Sequence, residues 1–228
     1  TYTPVDPAEL LAKKAGSPES EILNLNGNEN PYGPSPAAVE AVANAPVHIY
    51  PDPLQRKMRQ ALSDYTGADS SSIIAGAGSD ELIDLLFRLF IAPGDRILDF
   101  DPTFAMYAFC ARVAGGSVEL IQRDELFDID MDAVREAMDE HTKIIFVSSP
   151  NNPTGNLITE EKVEQLLETG LVVVIDEASM VGTRQLAAVT DLVEQDRKST
   201  RLNSSHVVTP YAVLCLEKKN IKQHLLPP

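Results

Sequence analysis

The chain has 228 residues, of which 43% are hydrophobic and 23% charged, and a net charge of −15. That balance belongs to a soluble globular protein with a sizeable core; no apolar run reaches the ~18 residues of a membrane span, and the start TYTPVDPAELLAKK does not read as a signal peptide. The acidic charge argues against nucleic-acid or membrane partners, and Cys110 and Cys215 are too few for a disulfide scaffold, which points to a reducing, cytoplasmic setting.

Prolines 4, 7, 18, 31, 34 and 36 punctuate the first 36 residues, which read as an arm lying over a surface. Ser35 can cap a helix over 36–44, and a second helix over 53–66 stops at Gly67. SIIA (72–75) reads as a strand and GAGSDELIDLLFRLF (76–90) as a turn followed by an amphipathic helix. Strands over 96–100, 117–121, 143–149 and 171–176 then alternate with helices over 103–114, 130–139 and 159–169. Such alternation predicts βαβ units and a largely parallel sheet covered on both faces.

Ligands of a parallel sheet sit outside the carboxyl ends of its strands, and four such places carry suggestive residues. GAGSDE (76–81) combines a tight turn at Gly76 and Gly78 with a helix start at Ser79 and Asp80, where free N–H groups favour a phosphate; an ordinary helix cap reads the same way. In DPTFAMY (101–107), Phe104 can stack on a flat ring or serve as a core aromatic. SSPNNPTGN (148–156) places Asn152, a polar side chain held rigidly, at a strand end, although a plain turn also explains Asn-Pro and Thr-Gly. VVVIDEAS (172–179) ends in Asp176, a carboxylate able to pair with a protonated ring nitrogen or to serve a metal or nucleotide. His48 and His141 lack partners at metal-ligand spacing, so no metal site is expected.

Together NLNGNENPYGPSP (24–36), YPDP (50–53), GAGSDELI (76–83), DPTFAMY, SPNNPTG and VVVIDEA resemble the pyridoxal-phosphate aminotransferases of fold type I, in particular the histidinol-phosphate aminotransferase branch. The resemblance covers about residues 20–178. It implies an α/β fold: a three-layer sandwich with a mainly parallel sheet, the large domain of that family, incomplete. It also implies pyridoxal 5'-phosphate as cofactor. Gly78, Ser79 and Asp80 would hold the phosphate, Phe104 would stack on the ring, Asn152 would donate to the phenolic oxygen, and Asp176 would pair with the ring nitrogen. Tyr50 would reach the cofactor of a neighbouring subunit in a homodimer, and Asn30 and Tyr32 would lie near the substrate. The implied reaction passes an amino group from histidinol phosphate to 2-oxoglutarate, in histidine biosynthesis; a threonine-phosphate decarboxylase is the neighbouring alternative within the fold.

The resemblance breaks after Asp176. Ser179 stands where the family has Tyr, and the family's later Ser-Lys, whose lysine forms the Schiff base, has no counterpart; the only later lysines are 198, 218, 219 and 222. Without that lysine the chain is expected to bind cofactor but not to turn over. Residues 171–195 also resemble a nucleotide-binding motif of relaxase-associated helicases, in which Asp176 would hold Mg²⁺ through water and Glu177 would activate the attacking water; yet no GxxxxGK[ST] occurs anywhere in the chain. A junction of two genes between about 170 and 178 is therefore expected. DRKSTRLNSSH (196–206) resembles the translation of a common sequencing-adapter oligonucleotide, and YAVLCL (211–216) is close to its far end. Residues 196–228 carry six Lys/Arg against two acids, whereas 1–195 carry 13 against 32. The chain thus divides into an arm (1–36), a partial cofactor-binding domain (37–178), a junction segment (179–195) and a non-native tail (196–228).

Overall fold

A computed structural model describes residues 6–23, 30, 32–176, 199–204 and 212–216, the last two stretches by their backbone alone. In chain order the principal elements are α1 (Ala8–Ala15), α2 (Pro36–Ala43), α3 (Arg56–Thr66), β1 (Ile73–Gly76), α4 (Ser79–Phe90), β2 (Arg96–Asp101), α5 (Met106–Val113), β3 (Ser117–Gln122), α6 (Met131–Ala137), β4 (Thr142–Ser148), α7 (Glu160–Glu168) and β5 (Val172–Asp176). Two further strands follow, β6 (Ser199–Ser204) and β7 (Ala212–Leu216).

Local chemistry sets most of these boundaries. The Ser35 hydroxyl accepts from Ala38 N–H and starts α2, Thr159 caps α7 through Lys162 N–H, and Asp130 caps α6 through the amides of Asp132 and Ala133. Gly67 ends α3 in the left-handed conformation. That helix begins three residues later than its spacing suggests. Asp52 accepts from the Leu54 and Arg56 amides, and Gln55 is left-handed, so 53–55 form a turn. The Arg56 and Leu54 amides, in that order, also hold the Asp52 carboxyl below its usual range. The Pro-rich arm is not wholly extended, since α1 fits between its prolines.

The sheet has the order β1-β7-β6-β5-β4-β2-β3. Strands β3, β2, β4, β5 and β6 are mutually parallel, and β7 runs antiparallel to both β6 and β1. Hence β1 runs the same way as the parallel set, and Gly76, Asp101, Ser148 and Asp176 finish their strands on one edge. The backbones of β6 and β7 lie within the segment read as a foreign tail, and they fill two places of the sheet.

Side chains alternate between the two faces with the period of two that a strand imposes. Ile97, Ile144, Phe146 and Val174 pack under α4 and α5, against Leu82, Ile83, Leu86, Phe87, Tyr107, Cys110 and Ala111. Leu98, Phe100, Ile145, Val147, Val173 and Ile175 face the other way, against Met131 and Val134 of α6 and Val163, Leu166 and Leu167 of α7. The result is the three-layer α/β sandwich that the alternation predicts. Three aromatic rings bind α4, β4 and α5 together: Phe87 stacks on Phe146 at 5.3 Å, and Phe146 on Tyr107 at 4.7 Å. Each such pair contributes about 0.5–1.5 kcal/mol beyond its buried area.

Candidate cofactor site at the strand ends

The same alternation that buries the apolar side chains carries Asp99, Ser148 and Asp176 to the α4/α5 face. All three are buried, Asp176 with only 1% of its surface exposed. A carboxylate at such a depth demands partners. One is Tyr107, whose hydroxyl donates to Asp176 Oδ2 at 2.7 Å. Ser148 lies beside Asp176 on the neighbouring strand, and the Ser149 amide donates to the Asp176 carbonyl at 2.9 Å. Burial first, then the Asp176 charge and hydrogen bond, push the Tyr107 hydroxyl well above the usual phenol range, so it stays protonated and donates.

Phe104 lies on the loop between β2 and α5, because that helix starts only at Met106. Its ring is half-buried and meets Tyr107 edge-on, with centroids 5.6 Å apart at 79°. Phe104 and Asp176 are thus joined through one tyrosine that the sequence analysis did not single out.

The loop after β4 corrects one expectation. The rigidly held asparagine is Asn151, not Asn152. Asn151 is buried, its amide donates to the Pro102 carbonyl and the Thr154 hydroxyl, and its carbonyl accepts from Arg123. It therefore ties the loop after β2 to the loop after β4. Asn152 is anchored through its backbone N–H, which donates to the Ser148 hydroxyl, while its side chain is exposed. The peptide bonds before Pro102, Pro150 and Pro153 are cis.

At the third strand end, Gly76 turns the chain into α4. A Cβ there would meet Glu81 Oε2 and Leu82 Cδ2, both at 2.9 Å, so no side chain fits without displacement. Gly78 caps α4 at φ 89° with open space around it and offers no side chain to the first-turn amides. Ser79 and Asp80 open the helix; Ser79 is half-buried, and partial loss of hydration raises the Asp80 carboxyl above its usual range although its outer part meets solvent. An uncapped twelve-residue helix start with open space before it suits an anion. Leu82 and Ile83 pack in the same cluster as Tyr107, which fixes this helix start above the Asp176 face.

The arm residues stand apart from this cluster. Asn30 accepts from the Tyr32 amide and donates to the Gly33 carbonyl, a local turn, and the Tyr32 side chain is exposed. Tyr50 is 98% exposed and points away from the core of its own chain. Glu177 and Ser179 lie outside the described residues, as do the lysines at 198, 218, 219 and 222.

The sequence pattern that defines the family described as aminotransferase class I and II matches residues 20–209. The chain belongs to that family. It is 46% identical over 201 residues to the histidinol-phosphate aminotransferase of Roseiflexus castenholzii, covering 84% of this chain and 53% of that protein. It is 42% identical over 179 residues to the chloroplastic histidinol-phosphate aminotransferase 1 of Arabidopsis thaliana, covering 78% and 43% respectively. The chain spans about half the length of these curated relatives. Among solved structures it resembles the histidinol-phosphate aminotransferase of Sinorhizobium meliloti in complex with pyridoxal-5'-phosphate, with a TM-score of 0.80 at 19% identity over 94% of this chain and 61% of that one. The enzyme of the same name from Clostridium acetobutylicum gives a TM-score of 0.74 at 23% identity, over 88% and 62%. These likenesses bear out the fold-type-I aminotransferase fold.

Asp99 supplies a test of the buried polar layer. Burial, partly offset by the Phe100 amide and the Arg123 charge, raises its carboxyl from 3.8 to about 7. Between those values the folded chain holds a proton that the unfolded chain has lost, so stability falls as pH climbs from about 4 to about 7 and is level above. Asp99→Asn keeps the acceptor for the Phe100 amide and removes the charge. Thermal unfolding should show variant and wild type similar at pH 4, with the variant gaining up to about 1.4 kcal/mol per pH unit towards pH 7; a gap that does not vary with pH contradicts the assignment.

Proposed function

We propose that this chain is the cofactor-binding part of a pyridoxal-phosphate-dependent aminotransferase that acts on histidinol phosphate with 2-oxoglutarate. The observation that carries the reading is Asp176: a carboxylate buried at a strand end, hydrogen-bonded to a buried tyrosine, below a half-exposed aromatic ring and beside an uncapped helix start. Those groups match the cofactor's chemistry piece by piece. The amides of Ser79 and Asp80 at the start of α4, with the open backbone at Gly78, would hold the phosphate; Asp80 would act through its N–H, since its carboxylate repels an anion. Phe104 would lie against the ring, Asn152 would donate to the phenolic oxygen, and Asp176 would hold the ring-nitrogen proton. Bound there, the cofactor supplies an electron sink for breaking the amino acid's α-C–H bond. The chain's own contribution would be a carboxylate for the ring nitrogen at Asp176, an apolar face at Phe104 and amide donors for the phosphate at the start of α4. The curated relatives' names support histidinol phosphate as substrate over a decarboxylation substrate.

Asn30 and Tyr32, on the arm, would approach the substrate once the arm folds over the site. Tyr50 would reach the cofactor of a second copy. Support comes from the exposed apolar residues around it, Val39, Val42, Val47, Ile49 and Leu54, which one chain leaves uncovered and an identical partner would bury. Residues 196–228 are a non-native tail in this reading, supported by the adapter match.

Three measurements test these statements. Pyridoxal phosphate titrated into the chain should quench its tyrosine fluorescence saturably. Asp176→Asn should weaken that binding roughly tenfold or more, the worth of one hydrogen bond to a charged group; equal affinity sinks the site assignment. Sedimentation should show a dimer that Tyr50→Ala leaves assembled but binding cofactor more weakly, whereas a monomer with unaltered Tyr50→Ala affinity removes the shared site. A single long read of the source DNA across codons 165–230 should run on to a Ser-Lys and an arginine; a read that encodes DRKSTRLNSSH after residue 195 refutes the foreign tail.

A further inference from the structure

We propose that Tyr107 is the positioning residue of the site: its hydroxyl holds the Asp176 carboxylate ionised and in one orientation, so that the ring nitrogen of a bound pyridine cofactor keeps its proton. The inference rests on the cofactor reading above and adds to it a residue that never touches the cofactor.

The geometry is specific. Tyr107 is fully buried, and the bond from its hydroxyl to Asp176 Oδ2 spans 2.7 Å between elements 69 residues apart in sequence. The ring cannot swing away, because Phe146 stacks on it at 4.7 Å and 18° while Phe104 meets its edge at 5.6 Å. A hydrogen bond donated to a carboxylate favours the ionised form. Proton sharing between a ring nitrogen and a carboxylate goes to the more basic partner, so a donor that lowers the carboxylate's basicity leaves the proton on the ring. Other groups face the hydroxyl too. Ser148 of β4 bonds with it and eases its ionisation, and the Asp99 charge from β2 opposes ionisation. Burial together with the Asp176 charge prevails, and the phenol stays a donor across the working pH range. Phe104 and Asp176, the two residues assigned to the ring's face and to its nitrogen, are therefore set relative to each other by the tyrosine between them.

A buried tyrosine also needs a partner for purely structural reasons, so the test must read proton affinity rather than stability. The full chain, carboxyl-labelled with carbon-13 at aspartate, is titrated by NMR as wild type, as Tyr107→Phe, and with 3-fluorotyrosine, a stronger donor, placed at 107. The Asp176 signal is assigned by its loss in Asp176→Asn. Tyr107→Phe keeps the aromatic stack and should raise the proton affinity of Asp176 about tenfold or more, while fluorotyrosine should lower it. With pyridoxal phosphate carrying nitrogen-15 in its ring, the wild type should show a protonated nitrogen, and Tyr107→Phe should move it toward the neutral form, part of the way to Asp176→Asn. An Asp176 titration unmoved by either change at Tyr107 overturns the inference whatever the cofactor does. So does an Asp176 titration that moves while the ring nitrogen responds only to Asp176→Asn. A ring nitrogen indifferent even to Asp176→Asn overturns the cofactor reading, and this inference falls with it.

Discussion

A carboxylate brought to 1% exposure has left water behind, and the protein must replace what water supplied. At Asp176 part of that replacement comes from α5, where the Tyr107 hydroxyl donates to Oδ2, and the packing of the upper layer holds this hydroxyl in place. The Phe87–Phe146–Tyr107 stack runs from α4 across the sheet to α5 and fixes the height and tilt of the tyrosine. Remove the stack, and one of the bonds that satisfy the buried carboxylate loses its direction. Packing and polarity are thus one constraint here: the aromatic core is placed where it aims a donor at a buried carboxylate.

The same economy of position governs the loops. Arg123, leaving β3, bonds to Asn151, and Asn151 bonds back to Pro102 beyond β2 and across its own turn to Thr154. Arg123 also lies over the Phe100 ring, 5.7 Å from its centroid, and bonds the Phe127 carbonyl. Two strand-end loops and the connection after β3 are consequently a single hydrogen-bonded body. Phe104 on the first of these loops and the backbone of Asn152 on the second are held by neighbours, Tyr107 and Ser148, rather than by anything bound.

Much of this was legible in the sequence. Helices of the cofactor-binding region carry a clear period of 3.6, its central strands read as short continuous apolar runs, and capping residues such as Ser35, Asp130, Thr159 and Gly67 mark helix ends chemically. What escaped depends on distance or direction. Tyr107 sits three residues after Phe104 in PTFAMY and reads as one more core aromatic, since its partner lies 69 positions on. Asn151 and Asn152 are indistinguishable as letters; which one turns inward is decided by the turn between Ser148 and Asn156, in which the Asn151 amide bonds the Asn156 carbonyl. Asp99 interrupts an apolar run in RILDF, and only the pairing of β2 between β3 and β4 makes it a buried acid. STRLNS has no apolar alternation at all, which is why β6 has no sequence signal; it lies between β5 and β7 in the sheet.

Strand β1 lies at the margin of the sheet, with β7 on one side only. Margins of this kind expose unpaired backbone groups and invite a strand from another molecule to add on. Here the Gln55 side chain meets that exposed face, its amide N–H₂ giving to the Ala75 carbonyl at 2.8 Å and its oxygen taking the Ala75 N–H at 3.1 Å. A primary amide is a peptide group in miniature, and Gln55 behaves as a strand one residue long. The left-handed turn that delays α3 is what delivers it. An irregularity in a helix start thereby covers part of the β1 margin, at Ala75, that a second chain would otherwise read as a template.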